Sequence, residues 1–220
     1  MKDNEIEIIP KLPEQPVGWL EATLPKFVVK KLQSYIKKAE ENPINWNSHL
    51  AGNISKSLLM KDEDDWFYQT VLVPIIKRFI EHYPTYAEEA AGVVKENLSC
   101  YLDSLWVNFQ KQNEFNPLHY HDGLFSFAIW VKIPTDWREQ HTLPFLVNSD
   151  SAIASDFGFA YTTMLGQLKH ITYCLDKKSE GGMLFFPAKL MHTVYPFYNC
   201  DKERISLSGN ICLDNSISNL

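Results

Sequence analysis

The hydrophobic period of this chain changes near residue 97, and that change restricts the folds open to it. Before that point apolar residues recur at helical spacing. Leu24, Phe27, Val28, Leu32, Tyr35, Ile36 and Ala39 form one stripe, with Lys30, Lys31, Lys37 and Lys38 largely off it. Pro25 suits a first helical turn, and Asn42-Pro43 ends the run. A second helix is expected from near Asp62, where Glu63, Asp64 and Asp65 suit the positive end of the helix dipole. Phe67, Val71, Ile75 and Phe79 continue it, and Pro74 should kink it or split it in two. A short helix is expected from Thr85 to about Lys95.

Beyond residue 97 the pattern is one of short β segments, at about 98–110, 125–133, 144–148, 157–163, 169–175, 182–186, 191–196 and 203–213. Gly, Pro, Asn and Asp separate most of them. Helices followed by about eight strands read as an α+β, mainly β fold, with the helices bracing one face of a sandwich or barrel. The expected organisation is a helical region over 1–96 and a β core over 97–220, forming one structural unit. The segment 141–156 has the weakest pattern and reads as a loop near the mouth of a site.

Alternation is clearest in the last segment. Arg204, Ser206, Ser208, Asn210 and Cys212 face one way, and Ile205, Leu207, Ile211 and Leu213 the other. Over 104–110, Trp106, Asn108 and Gln110 oppose Leu105, Val107 and Phe109. A solvent-washed face would carry Lys and Glu. These faces carry one Arg with small hydroxyl and amide groups, which fits the lining of a polar cavity.

Bulk properties bound the function. A chain of 220 residues with 45% hydrophobic content can bury a sizeable core, and its net charge of −6 argues against nucleic acid, whose binding rests on phosphate neutralisation. Met1-Lys2-Asp3-Asn4-Glu5-Ile6 lacks the apolar core of a signal peptide, and no stretch approaches the roughly 18 apolar residues of a membrane span. Cys100, Cys174, Cys200 and Cys212 contain no CxxC pair and read as reduced thiols of a cytoplasmic protein.

The chemistry-bearing residues come in a particular order. His119-Tyr120-His121-Asp122 holds two imidazoles separated by one residue, which share a face of an extended strand. They follow Asn116-Pro117-Leu118, so a strand end or the turn after it is the expected place. His192 arrives from a distant segment, and Arg204 follows it by twelve positions with Ser206 on the same strand face. Imidazoles are common metal ligands. His49, His82, His141 and His170 have no ligand-like partner in the sequence. No Ser-His-Asp order, phosphate loop or dinucleotide fingerprint is present.

The order of the first motif, then Gly182-Met183-Leu184-Phe185-Phe186-Pro187 with His192, then Arg204-Ile205-Ser206, resembles the 2-oxoglutarate- and iron(II)-dependent oxygenases. Over residues 98–213 it is similar to their prolyl-hydroxylase-like branch. Within that branch it resembles a subgroup with an HxH first motif, here Pro117-Leu118-His119-Tyr120-His121-Asp122-Gly123-Leu124-Phe125-Ser126. The resemblance implies a double-stranded β-helix, the cupin-like jelly roll, with the N-terminal helices packed on one sheet. It implies Fe(II) as the metal and 2-oxoglutarate as cosubstrate. His119 and His192 would be imidazole ligands, Arg204 the clamp on the far carboxylate, and Ser206 its hydroxyl partner. Asn108, Gln110 and Trp130 are candidate walls of the cosubstrate pocket. No catalytic residue is expected beyond the metal ligands.

The chain departs from the family where most members have a carboxylate, since His121 stands there. Either His119, His121 and His192 bind the metal with Asp122 orienting a ring nitrogen, or a turn at Asp122-Gly123 swings the carboxylate inward. The resemblance implies a dioxygenase that uses O2, hydroxylates an unidentified substrate and releases succinate and CO2. The rivals are a cupin-like metal-binding jelly roll without 2-oxoglutarate chemistry and a non-catalytic binding module of the same fold. No membrane partner is expected. Jelly rolls of this class often form homodimers, and no feature of the sequence decides that.

Overall fold

The computed structural model describes residues 18–94, 98–163 and 165–214. Ten strands and four α-helices run in the order β1 (Leu20–Thr23), α1 (Lys26–Glu41), β2 (Ser57–Met60), α2 (Val73–His82), α3 (Tyr86–Ala91), β3 (Cys100–Gln110), β4 (Asn116–His119), β5 (Phe125–Lys132), α4 (Trp137–His141), β6 (Phe157–Thr162), β7 (Leu168–Tyr173), β8 (Gly182–Pro187), β9 (Met191–Val194) and β10 (Arg204–Leu213). They form a six-stranded sheet, β1-β8-β5-β10-β3-β2, and a four-stranded sheet, β4-β9-β6-β7. Every pairing is antiparallel. This is the expected double-stranded β-helix.

The larger sheet is covered on both faces, and its strands show it. Phe125, Phe127, Ile129 and Val131 of β5 pack with Met183 and Phe185 of β8 against α1 and α2, through Val28, Leu32 and Phe79. The intervening residues Ala128, Trp130, Leu184 and Phe186 face the smaller sheet, where they meet Phe157 and Phe159. Strands buried on both sides lose the apolar–polar alternation of a half-exposed sheet, so β5 and β8 read as near-continuous apolar runs. In β3 and β10 the alternation survives, because one face meets the helical core and the other meets a polar cavity.

The helical layer forms for local reasons. In α1, Val28, Leu32, Tyr35, Ile36 and Ala39 are buried on one stripe, Pro25 occupies the N-cap and Asn42 the C-cap. The Asp62 carboxylate accepts the backbone N–H groups of Phe67 and Tyr68, both at 2.8 Å, and so caps the second helical segment. Pro74 divides that segment, as its missing N–H requires: a π-helical turn over Tyr68–Leu72 precedes α2, with the proline in the first turn of α2. The third helix stops at Gly92, which takes φ 67° as a left-handed cap. Its expected end near Lys95 lies outside the described residues.

Several expectations need correction. The segment before residue 97 is not only helical: β1 and β2 form the two edges of the larger sheet. Four residues each, they are too brief to show a period. Residues 144–148 form turns rather than a strand, with Phe145 and Val147 exposed and the N–H groups of Leu146 and Val147 donating to the Leu143 carbonyl. No neighbouring strand offers them a ladder. The helix α4, ending at His141, was also not anticipated. Among the described residues no helix is long and apolar enough to cross a membrane.

Candidate metal and cosubstrate site

Register brings the histidines together. His119 ends β4 and stands directly opposite His192 of β9, with ring centroids 4.2 Å apart. His121 leaves the strand two residues later, its backbone N–H held by the Ala188 carbonyl at 2.9 Å. Its Nε2 lies 3.1 Å from His192 Nε2, and one donor atom from each of the three rings lies within 4.8 Å of the others.

The tautomers follow from the neighbours. A carbonyl oxygen can only accept, so Nδ1–H of His119 donates to Pro117 O at 2.7 Å and Nδ1–H of His192 to Leu190 O at 2.9 Å. Both rings are thereby locked with an Nε2 lone pair facing the shared point, the arrangement metal-ligating histidines use. Burial holds His119 and His192 in the neutral form, below the usual imidazole range, and the neighbouring rings add to this for His192. Burial and the charge of His119 lower His121 to about 3.

Asp122 stands apart. Its side chain is 97% exposed and pairs with Lys189 at 3.0 Å. The expected turn is present, with Gly123 at φ 95° and an added Cβ only 2.7 Å from the Ile211 carbonyl, yet it aims the carboxylate outward. The residues that could hold a metal here are therefore three imidazoles, His119, His121 and His192.

One cavity joins this cluster to Arg204 and Ser206 on β10 and to Asn108, Gln110 and Trp130, all of which line it. Arg204 is fully buried. Its Nη2 donates to the carbonyl and hydroxyl oxygens of Ser155, and its Nη1 to Gln110 Oε1 at 3.3 Å. Burial lowers its pKa to about 10, against the opposing charge of Asp156, so it remains a cation at neutral pH. Among the described residues no carboxylate hydrogen-bonds it, and its Nε is buried without a partner. Asn116 Oδ1, on the same cavity wall, is a second buried orphan. A buried, incompletely satisfied guanidinium favours an anionic ligand. The residues present therefore fit a small dicarboxylate beside a metal.

The cavity walls are braced from outside. Ser57 of β2 donates to Asn108 Oδ1 at 2.7 Å, and Gln110 Nε2 donates to the Glu114 carbonyl at 2.6 Å. The segment 141–156, expected at the mouth, contributes no lining residue among those described; its end supports Arg204 from behind. His49, expected to have no role, does line the cavity, as do Trp106 and Asn116. Trp106 lines it on the strand face it shares with Asn108 and Gln110, as the alternation of that segment predicts. Nothing in the sequence around His49 points to this site.

The fold and the site define a jelly-roll protein in which three histidines that could hold a metal ion share a cavity with a buried arginine. A family model described as "Putative 2OG-Fe(II) oxygenase" matches residues 104–210. Over that segment the chain is similar to the 2-oxoglutarate/Fe(II)-dependent oxygenases, oxidoreductases that use Fe(II) and 2-oxoglutarate. No curated protein matches it in sequence. A Pseudomonas putida prolyl-4-hydroxylase has a similar structure, with TM-score 0.51 and 12% identity over 87% of this chain and 90% of the other. The carbocyclase SnoK from nogalamycin biosynthesis gives TM-score 0.50 and 11% identity over 90% and 79%. At such identities these likenesses speak for the fold.

Proposed function

We propose that the protein is an Fe(II)- and 2-oxoglutarate-dependent dioxygenase that hydroxylates a second, unidentified substrate. The observation that carries this reading is the buried Arg204, with its unpartnered Nε, in one cavity with three imidazoles whose ring nitrogens lie within 4.8 Å of one another. His119, His121 and His192 would hold the metal. Arg204 and Ser206 would hold the distal carboxylate of 2-oxoglutarate. Bound metal and cosubstrate supply the O2 chemistry, in which 2-oxoglutarate, O2 and a substrate C–H give succinate, CO2 and the alcohol.

The protein's own part is to position and to exclude water. The β10 backbone and the Ser155 acceptors fix the guanidinium, so little of its freedom is lost on binding a carboxylate. Trp130, Phe157 and Phe186 form an apolar wall beside the histidines. That wall lowers the local dielectric and strengthens the arginine–carboxylate contact.

Three neutral imidazoles also suit a cupin-like metal protein without 2-oxoglutarate, and Arg204 is what separates the two readings. Anaerobic addition of Fe(II) and 2-oxoglutarate should give a metal-to-ligand charge-transfer band. Arg204→Ala should retain the iron and weaken 2-oxoglutarate by about tenfold to 100-fold, the effect of losing a charge-assisted hydrogen bond worth roughly 1.5–3 kcal/mol. Iron binding with no such band would remove the dioxygenase reading and leave the cupin-like one. Succinate release screened against candidate substrates would then identify the co-reactant.

A further inference from the structure

We infer that His141, Asp156 and Cys174 form a second divalent-metal site, of the zinc class, behind the arginine of the main cavity. The three residues come from separate elements. His141 ends α4, Asp156 immediately precedes β6, and Cys174 immediately follows β7. His141 Nε2 lies 3.0 Å from Asp156 Oδ1, Cys174 Sγ lies 3.8 Å from Asp156 Oδ2, and all three donors fall within 4.8 Å of one another. A tetrahedral cation with bonds of about 2.0–2.3 Å sets donor separations of about 3.3–3.6 Å. The observed spacings bracket that range, so small side-chain shifts suffice.

The donor types select the metal. One imidazole, one carboxylate and one thiolate make a borderline-soft set that suits zinc and its neighbours, whereas magnesium and calcium take oxygen ligands. Asp156 is fully buried, while Cys174 is exposed, so a cation could enter from the Cys174 side and keep a water as fourth ligand. Burial and Asp156 hold the Cys174 thiol above its usual range, so the metal would displace its proton to solvent. Arg138 beside Cys174 and Arg204 beside Asp156 are the nearby cations, and both oppose metal entry. None of the three ligands lines the main cavity, which keeps the two sites distinct.

The position has a structural consequence. Asp156 follows Ser155, the residue whose carbonyl and hydroxyl hold Arg204 and whose backbone takes φ 72°, a left-handed conformation that is strained for serine. A metal on Asp156 would tie this corner to α4 and to the end of β7, and so brace the arginine from behind.

Cobalt(II) tests the site in the full-length, metal-stripped protein. The main site holds only imidazoles, so a thiolate-to-cobalt charge-transfer band reports the second site alone. We expect two equivalents of cobalt and that band in the wild type. His192→Ala should keep the band, while Cys174→Ser and His141→Ala should each lose it. Zinc should raise the melting temperature of His192→Ala but not of the His192→Ala/Cys174→Ser double variant. Cobalt uptake without a thiolate band, or a band that survives Cys174→Ser, would overturn the inference and leave the three residues as a hydrogen-bonded trio.

Discussion

A buried imidazole in this protein has two states to choose between, neutral or metal-bound, because burial penalises its cation. His119, His121 and His192 all sit below the ordinary value of 6.5 for that reason, His121 at about 3. The sign of the stability effect follows. Between the folded and unfolded values the unfolded chain holds more protons, so stability is complete above about pH 6.5 and falls as pH drops toward the folded values. Each imidazole contributes up to about 1.4 kcal/mol per pH unit in that window. The metal-free protein should therefore melt at lower temperature at about pH 5 than at about pH 7, and His121→Leu should show a smaller difference. Thermal melts across pH check this, and an unaltered slope in His121→Leu would refute it. At this scale spacing pointed to the HxH pair and strand parity placed Arg204 with Ser206, while the link of His192 and Arg204 to that pair rested on the family resemblance of the ordered motifs. The sequence was silent on Asn116, His49 and the trio of His141, Asp156 and Cys174, since each is defined by a meeting of segments far apart in the chain.

The elements carry the constraint through β10, which pairs with β3 on one side and β5 on the other. Its polar residues face the cavity and its apolar ones the helical layer, so a slip of one residue would remove Arg204 from the site and bury it in the helical core. Gly209 sits where the neighbouring strands leave no room. An added Cβ would lie 2.6 Å from Phe127 Cζ and 2.6 Å from the Ser104 backbone oxygen. A ring can turn aside but a backbone carbonyl in a ladder cannot. Gly209→Ala should destabilise the protein by about 1–3 kcal/mol, read from urea unfolding, and an unchanged midpoint would contradict the close packing. Long amphipathic elements such as α1, β3 and β10 were legible because their period repeats several times. Of the four-residue strands only β9 was expected, between clear turn residues; β1, β2 and β4 were not, since so short a run carries no period and each is held by the strand beside it.

At the scale of the whole molecule the helical layer and the jelly roll share one core. Leu32, Phe67 and Phe79 are buried with Phe125, Phe127 and Phe185, and β1 and β2 close both edges of the larger sheet. Removing residues 1–96 would expose that apolar face and leave two strand edges unpaired, which favours aggregation over an independent fold. The intact chain should unfold in one transition, with tryptophan fluorescence and far-ultraviolet circular dichroism sharing a midpoint. Tryptophans lie on both sides of residue 97, at Trp19, Trp46 and Trp66 and at Trp106, Trp130 and Trp137, so separate midpoints would reveal a domain division. Local patterning alone determined that helices precede strands, that β10 has a polar and an apolar face, and that His119 and His121 share a motif; the grouping of these with His192 and Arg204 came from the family resemblance of the ordered motifs. The patterned features are properties of neighbours along the chain, set by side-chain direction at a period of two or 3.6. Only the tertiary structure decided that Asp122 faces solvent while His119, His121 and His192 meet, and that segments 141, 156 and 174 meet behind Arg204. Those outcomes depend on strand register and on loop paths through space, where long-range packing and hydrogen bonds outweigh any local preference.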